Sequence, residues 1–421
     1  MDNLQDTKIS WINKIPKHWS VKKLKYLASK IERGTSPDYT DEEMTRVVNQ
    51  ATFSRGFFDN SNIRFSTKPA ETSRGLLQQG DVLLASTGGG VLGKTHLYQE
   101  NETYVADSHV TIIRVLRELL NPEYLYFYLY VNYDTINAML AVGSTNQTEL
   151  QRELLANMKI PLPPLDEQVT IAAHLRKKCT EIDALIADVQ AQIDVLEQYK
   201  RSVITETVTK GLNPDAEMKD SGIQWIGMMP SHWDCIRGKY ILKYIQKPVR
   251  EDDGVITCFR DGEVTLRSNR REDGFTMADK EIGYQGIDVG DLVVHGMDGF
   301  AGAIGISDSR GKASPVLNVL GTEQNKRYIM YFLRSMAYSD VFLALATGIR
   351  VRSCDLRWNK LAELFYPVPP IEEQDAIVAH IDSVLQKTND VIADKKEQLA
   401  VLEAYKKSLI YEYVTGKKEV I

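Results

Sequence analysis

The sequence lacks the features that mark membrane, secreted and metal-stabilised proteins. Its 421 residues contain no apolar run approaching twenty residues and no charged-then-apolar leader, whereas a membrane-spanning helix needs about 20 apolar residues. No C-x-x-C or H-E-x-x-H motif is present, and the four cysteines are scattered, at Cys179, Cys235, Cys258 and Cys354. We therefore expect a cytoplasmic protein with neither a disulfide framework nor a bound metal.

Internal repetition is the main feature that the sequence does have. Residues 161–211 return 206 positions later with the same Pro-Pro, Glu-Gln and Leu-Glu-x-Tyr-Lys elements. The matched residues are Pro163, Pro164, Glu167, Gln168, His174, Leu196, Glu197, Tyr199 and Lys200, and then Pro369, Pro370, Glu373, Gln374, His380, Leu402, Glu403, Tyr405 and Lys406. A W-I-x-x-x-P-x-H-W motif also occurs twice, at 11–19 and 225–233. The chain is therefore a tandem duplication in which a variable domain is followed, twice, by a repeated segment.

Each repeated segment has the pattern of one long helix. Apolar residues of the first copy alternate at spacings of four and three, which is typical of a coiled-coil seam. They are Leu175, Cys179, Ile182, Ile186, Val189, Ile193 and Leu196, whereas Thr388 and Lys395 enter the seam of the second copy. Because the Pro-Pro pair precedes an acidic first turn, we predict helical segments at 161–210 and 366–417 that pair with each other. About forty residues rising 1.5 Å each make a rod of roughly 60 Å.

The net charge of −6 is concentrated in these helices. Residues 166–209 carry −3 and residues 371–413 carry −4, so the rest of the chain sums to +1. Between residues 44 and 94, six basic residues face three acidic ones. A negative net charge for the whole chain is therefore compatible with a basic surface on the variable domains.

The variable domains, at 1–160 and 223–365, show the pattern of mixed strands and helices. Short apolar runs at 81–84, 108–116, 291–295 and 303–306 are bounded by turn residues and predict strands. Helical periodicity returns at 122–140 and 327–345. Residues 211–222 are polar and contain Gly and Pro, which indicates a linker. Its Asp215, Glu217 and Lys219 lie on one short stretch, so we do not expect them to form a nuclease-like site. The fold class that we predict is α+β.

One motif suggests nucleotide binding. Residues 88–95, GGGVLGKT, satisfy G-x-x-x-x-G-K-[ST], the phosphate-binding loop. That loop must open a helix, but strand-like sequence follows here, and the duplicated segment at 296–302 lacks Gly-Lys-Thr. We interpret the motif as a glycine-rich hairpin whose Lys94 contacts a DNA phosphate. ATP or GTP binding remains an alternative.

The duplicated motifs resemble the specificity subunits of type I restriction-modification systems. The resemblance rests on W-I-x-x-x-P-x-H-W before each variable domain, and on P-x-P-P-[LI]-x-E-Q with a helix ending L-E-x-Y-K-[RK]-S after it. It implies that the variable domains are target-recognition domains and that the long helices form an antiparallel intramolecular coiled coil with a pseudo-twofold axis. It also implies a subunit without catalysis of its own, and we expect the four repeated histidines to have packing or capping roles.

The resemblance further implies partners and cofactors. The partners would be double-stranded DNA with a split, asymmetric site, two methyltransferase subunits and motor-nuclease subunits. S-adenosylmethionine, ATP and Mg would belong to those partner subunits, and this chain would hold no cofactor.

The resemblance also implies candidate DNA contacts in the loop before each Pro-Pro segment, at 143–147 and 348–352. Arg pairs bidentately with guanine, and Asn or Gln with adenine. The residues that we predict to contact bases or phosphates are Asn146, Gln147, Arg350, Arg352, Arg55, Arg64, Lys94, Arg267 and Arg270. The alternative for each is a solvated surface charge. For the whole chain, a coiled-coil scaffold without a DNA role is the second alternative.

Overall fold

The computed structural model describes residues 4–88, 90–142, 148–270, 282–345 and 356–420. The chain divides into two compact units, which we call unit 1 (Met1–Val189 with Glu397–Ile421) and unit 2 (Gln190–Lys396). The first long helix is Leu165–Lys210 and the second is Ile371–Val414. Each long helix contributes residues to both units. Strands and helices occur in both units, so the predicted α+β class is confirmed.

Unit 1 is built from short strands and a few helices besides the long ones. The strands are Leu4–Ile9, Ile12–Pro16, Ser20–Lys23, Ala28–Arg33, Tyr39–Thr40, Thr45–Val48, Arg64–Ser66, Val82–Ala85, Thr95–Leu97, Tyr104–Ala106, Val110–Val115, Ala141–Val142, Glu149–Leu150 and Lys159–Leu162. The helices are Gln50–Phe53, Pro122–Val131, Tyr133–Leu140 and Arg152–Asn157, with 3-10 turns at Leu24–Tyr26 and Asn60–Asn62.

Unit 2 has a corresponding set of elements. The strands are Met218–Asp220, Met228–Pro230, Asp234–Arg237, Leu242–Ile245, Ile256–Cys258, Val264–Leu266, Gln285–Ile287, Leu292–His295, Ile304–Ile306, Gly311–Ala313, Leu317–Thr322 and Phe365–Val368. The helices are Gly238–Ile241, Arg267–Arg270, Lys326–Tyr338, Val341–Ala344 and Trp358–Glu363, with a 3-10 turn at Gly299–Ala301.

The same four-stranded antiparallel sheet forms the centre of each unit. In unit 1 the strand order is Ala28–Arg33, Val110–Val115, Val82–Ala85 and Thr95–Leu97. In unit 2 it is Leu242–Ile245, Leu317–Thr322, Leu292–His295 and Ile304–Ile306. The central strands are apolar and almost entirely buried, as expected for strands covered on both faces. The strands predicted from the apolar runs are therefore confirmed.

The peripheral strands differ more between the units. Unit 1 has a second four-stranded sheet, whereas unit 2 has two separate strand pairs in its place, Ile256–Cys258 with Val264–Leu266 and Gln285–Ile287 with Gly311–Ala313. Within residues 211–222, predicted to be a linker, Met218–Asp220 forms a strand that pairs with Met228–Pro230. This pair repeats the hairpin of Leu4–Ile9 and Ile12–Pro16 in unit 1.

The long helices begin where their sequences indicate. Each starts directly after its Pro-Pro pair, since proline lacks the N–H that a helix interior requires. Seam residues such as Ile182 and Ile392 are about 95% buried. Thr388, the polar exception, is also buried, and its hydroxyl donates to the Val384 carbonyl at 2.8 Å. A threonine can thus occupy the seam because its own helix satisfies the hydroxyl. Over the described residues, no helix has the length and apolarity of a membrane span.

Candidate nucleic-acid interface

A buried glutamine anchors the start of each long helix to its variable domain. Gln168 is 1% exposed, and its side chain accepts from the Asn121 N–H at 2.8 Å and donates to the Pro163 carbonyl at 2.9 Å. Asn121 is the N-cap of the helix Pro122–Val131, and its side chain accepts hydrogen bonds from N–H groups in the first turn of that helix. The Glu-Gln motif therefore ties together two helix N-termini, each of which has backbone donors that need partners.

Unit 2 contains the same arrangement. Gln374 is fully buried, accepts from the Asn325 N–H at 3.0 Å and donates to the Pro369 carbonyl at 2.9 Å. Asn325 caps the helix Lys326–Tyr338 in turn. We call the contact between each capped helix and the start of its long helix the joint of that unit.

A buried tyrosine completes each joint. The Tyr124 hydroxyl lies 2.9 Å from the Pro161 carbonyl and 3.0 Å from the Val414 carbonyl, at the end of the second long helix. The Tyr328 hydroxyl lies 3.0 Å from both the Pro367 and the Val208 carbonyls. Each tyrosine therefore links the approach to one long helix with the end of the other inside a single unit. Burial raises the pKa of both phenols well above their ordinary value, so they remain neutral.

The repeated His-Trp pairs also contact the start of a long helix. His18 Nε2 lies 2.9 Å from Glu167 Oε2, and the indole of Trp19 donates to Glu167 Oε1 at 3.0 Å. In unit 2, His232 Nε2 lies 2.9 Å from Glu373 Oε2. These contacts place both histidines beside an acidic first turn, in keeping with the packing or capping role that we predicted.

The strand Glu149–Leu150 lies beside the glycine-rich hairpin of unit 1. Leu150 N–H donates to the Ser86 carbonyl at 2.9 Å, and Glu149 bridges Thr87. In unit 2, Leu356 N–H donates to the Gly296 carbonyl at 2.8 Å. Ser86 and Gly296 each follow the equivalent central strand, so in both units Leu150 or Leu356 contacts the turn at the same edge of the sheet.

A charged cleft adjoins this edge in unit 1. Its volume is about 650 Å³, and it is lined by Glu32, Arg33, Arg74, Glu149, Leu150, Gln151 and Arg152. Arg33 reaches Glu149 at 3.4 Å and Arg152 reaches Glu32 at 3.7 Å. Arg33 and Arg152 were not predicted from the sequence, because they lie outside the basic stretch 44–94 and come together only in the folded chain.

A second cleft lies at the corresponding edge of unit 2. Its volume is about 520 Å³, and three arginines line it, Arg260, Arg267 and Arg270. Two of them were predicted from the sequence, and the structure brings them together with His295 and Asp298. Arg270 is ion-paired to Asp261 at 2.7 Å and to Glu263 at 2.8 Å. Arg267 Nε donates to Thr257 Oγ1 at 3.0 Å.

The three predicted contacts of unit 1 have separate partners. Arg64 is exposed and stacks 3.5 Å above the Tyr39 ring. Arg55 is ion-paired to Asp59 at 2.7 Å, and Lys94 Nζ lies 4.7 Å from the centre of the Tyr133 ring. The hydrogen bonds and ion pairs of the described residues do not join these three side chains. Asn146, Gln147, Arg350 and Arg352 lie outside the described residues.

The phosphate-loop motif has the wrong local structure for nucleotide binding. Thr95 begins the strand Thr95–Leu97 and not a helix, so no helix N-terminus follows the Gly-Lys-Thr to hold a phosphate. Lys94 N–H donates to the Val91 carbonyl within a turn. Across the described part of the chain, no group of three or more His, Cys, Asp or Glu side chains could hold a metal ion.

Comparison with known proteins identifies chains of similar sequence and fold. Residues 16–194 match the family described as the type I restriction modification DNA specificity domain. A solved chain from work on complex assembly and conformational transition of the type I R-M system has the same fold, with a TM-score of 0.70 at 17% identity, covering 96% of this chain and 99% of that one.

Two curated relatives carry the same description. The putative type I restriction enzyme MjaX specificity subunit of Methanocaldococcus jannaschii is 23% identical over 97% of this chain and 96% of its own length. The type I restriction enzyme EcoBI specificity subunit of Escherichia coli is 25% identical over 70% of this chain and 66% of its own length. The resemblance predicted from the repeated motifs is confirmed, because the family match and both relatives are type I restriction-modification specificity proteins.

Proposed function

We propose that this chain is the sequence-specific DNA-recognition subunit of a type I restriction-modification complex, and that it directs adenine methylation or cleavage by partner subunits. One observation carries the proposal: two variable domains with the same central sheet each hold an arginine-lined cleft at the same edge of that sheet. Arginine side chains at such an edge suit both phosphate contact and guanine recognition. Because the peripheral strands and cleft residues differ between the domains, the two half-sites differ in sequence.

The long helices act as the spacer between these half-sites. We propose that they form an antiparallel coiled coil around a pseudo-twofold axis, which holds the recognition domains 1–160 and 223–365 at a constant separation. The joints support this, since in each unit one tyrosine contacts both the approach to one long helix and the end of the other. The cross-helix ion pair of Lys406 with Asp183 at 2.6 Å supports the same pairing. A stiff rod fixes the number of base pairs between half-sites.

The chemistry belongs to the partners in this proposal. Two methyltransferase subunits supply S-adenosylmethionine, and motor-nuclease subunits supply Mg-dependent ATP hydrolysis and cleavage. The present chain contributes recognition, holds no cofactor and acts in the cytoplasm on double-stranded DNA. His18 and His232 are paired with Glu167 and Glu373 at the starts of the long helices, which supports a non-catalytic role.

The individual DNA contacts in this proposal are those predicted from the sequence, of which Arg267 and Arg270 line the cleft of unit 2. Arg64, Arg55 and Lys94 would contact phosphates in the first half-site, and Arg267 and Arg270 in the second. Asn146 and Gln147 would read adenine, and Arg350 and Arg352 guanine. Stacking on Tyr39 orders the Arg64 guanidinium while leaving it exposed, so Arg64 is the contact of unit 1 for which the support is strongest.

The decisive experiment reconstitutes the chain with its methyltransferase subunits and maps methylated adenines in a DNA library by single-molecule sequencing. The expected result is one bipartite motif with two unlike halves and a constant spacer. Methylation without a shared motif would contradict the recognition role.

Single substitutions then assign each half of the motif. Arg64→Ala should weaken DNA binding and lower the slope of log affinity against log salt by about 0.9, the value for one phosphate contact. Arg267→Ala should act on the other half-site alone. Lys178→Ala, at an exposed helix position paired with Glu181, is the control and should leave the slope unchanged.

A further inference from the structure

Each joint contains one ion pair between the capped helix and the long helix, and the two ion pairs have opposite polarity. In unit 1, Arg176 donates to the two carboxylate oxygens of Glu123 at 2.7 and 2.6 Å. In unit 2, Arg327 donates to Asp382 at 2.6 Å. The acid lies on the capped helix in unit 1 and on the long helix in unit 2.

The four residues occupy equivalent positions. Glu123 and Arg327 each stand two residues after the asparagine that caps their helix. Arg176 and Asp382 each stand eight residues after the buried glutamine, Gln168 or Gln374. The duplication therefore preserved the place of the ion pair and exchanged its two charges.

A third position changes together with the ion pair. The Tyr331 hydroxyl donates to Asp382 at 2.6 Å, and the equivalent residue of unit 1 is Phe127. The phenol thus adds a hydrogen bond to the carboxylate where the acid is on the long helix. Where the long helix carries Arg176 instead, the phenylalanine offers it no hydroxyl.

Three other features of the joint are shared between the units, and they make docking ambiguous. The buried glutamine, the asparagine cap and the bridging tyrosine make the same hydrogen bonds in both. Either capped helix could therefore dock on the start of either long helix, within one molecule or between two copies of this chain.

We propose that the reversed ion pairs are matching elements that direct each variable domain to its own long helix and prevent domain exchange. Incorrect docking would bring Glu123 against Asp382, or Arg327 against Arg176. Like charges in contact are repulsive, and Glu123 is only 12% exposed, so little water would remain to screen it. Correct docking gives attraction at both joints. This inference does not depend on DNA recognition.

Variants that preserve both ion pairs but give them one polarity test the proposal. Arg327→Glu with Asp382→Arg makes the polarity of unit 2 the same as that of unit 1, and the Tyr331 hydroxyl can accept a hydrogen bond from the introduced arginine. Glu123→Arg with Arg176→Asp makes the converse change in unit 1. After unfolding in urea and refolding at micromolar concentration, light scattering on a sizing column measures the fraction of exchanged dimers and larger species.

Each double variant should show a several-fold larger exchanged fraction than the native chain. Combining all four substitutions reverses both pairs, restores unlike joints and should return the fraction to the native value. This recovery distinguishes matching from local damage, because the fourfold variant carries more substitutions than either double variant. The control is Lys178→Glu with Glu181→Lys, which reverses an exposed pair within one helix and should leave the fraction unchanged.

Two outcomes would overturn the proposal. One is that the double variants refold with the native exchanged fraction. The other is that the fourfold variant remains as exchange-prone as the double variants. Circular dichroism before the sizing step checks that each variant has regained its helical content, and the Glu123→Asp variant, which retains polarity, should behave as native.

Discussion

The joints of the two units share their contacts at the helix ends but differ in the side chains around those ends. Both joints use a buried glutamine, an asparagine cap and a bridging tyrosine. They differ in the indole contact, since Trp19 donates to Glu167 whereas the buried Trp233 indole nitrogen has no partner among the described residues. Backbone groups at the helix ends take the same partners in both units, whereas the side-chain pairs around them differ.

Removing the shared glutamine should have the largest effect. Gln168→Leu or Gln374→Leu leaves a half-buried backbone N–H and a buried proline carbonyl without partners. Each unsatisfied group costs about 1–3 kcal/mol, so we expect a loss of about 4 kcal/mol in either unit. Urea unfolding followed by hydrogen exchange of peptides from each unit measures it. Gln190→Leu, at an exposed position of the same helix, should cost little. Markedly unequal losses would show that the joints are not equivalent.

Acid should destabilise unit 1 through His96. Burial between Phe53 and Phe58 lowers the pKa of His96 from 6.5 to about 4, so the unfolded chain takes up a proton first as the pH falls. Stability is then lost between about pH 6.5 and pH 4, to a total of about 3 kcal/mol. At the equivalent strand position unit 2 has Gly305, which pairs with Val293 as His96 pairs with Leu83.

The same exchange experiment at pH 7.5 and pH 4.5 checks this prediction. His96→Phe should abolish the extra loss in unit 1, since phenylalanine fits among the same aromatic rings without titrating. An unchanged pH dependence in that variant would assign the effect to other groups.

The seam of the long helices offers a smaller, reciprocal test. Ile182 in unit 1 and Thr388 in unit 2 occupy the same place in the repeat, and both are buried. Ile182→Thr should cost about 1–2 kcal/mol because it removes buried apolar surface. Thr388→Ile should raise the free energy of unfolding by roughly 0.5–1 kcal/mol, since the hydroxyl is bonded only within its own helix. If Thr388→Ile destabilises as much as Ile182→Thr, the packing around Thr388 is too tight for the larger side chain, and the prediction is wrong.

The tryptophan contacts should give the smallest difference. Trp19→Phe loses the hydrogen bond to Glu167, whereas Trp233→Phe removes an indole N–H that lacks a partner. Both remove the same aromatic volume, so Trp19→Phe should be the more destabilising by about 1 kcal/mol. Thermal unfolding of the two single variants and of the double variant measures this difference. A larger loss for Trp233→Phe would indicate that packing around the indole outweighs the hydrogen bond.

Much of the fold could be predicted because periodicity and duplication are local signals. The start of each long helix after Pro-Pro, the apolar strands 82–85 and 292–295, and the rejection of the phosphate-loop motif all follow from neighbouring residues. The candidate interface was predicted less well. Arg33 and Arg152 are 119 positions apart and line one cleft only in the folded chain. A count of basic residues in one stretch of sequence therefore cannot identify them.

The sequence by itself determined the duplication, the two long helices and the α+β class. Repeats at a constant offset and apolar spacings of three and four depend only on the order of residues. The tertiary structure decided which partners those residues take. Glu123 meets Arg176 and Arg327 meets Asp382, with opposite charges at equivalent places, and Thr388 is buried with its hydroxyl satisfied. Such pairings require the strands and helices to be folded together, because the contacting groups are far apart in the chain or face inward only after packing.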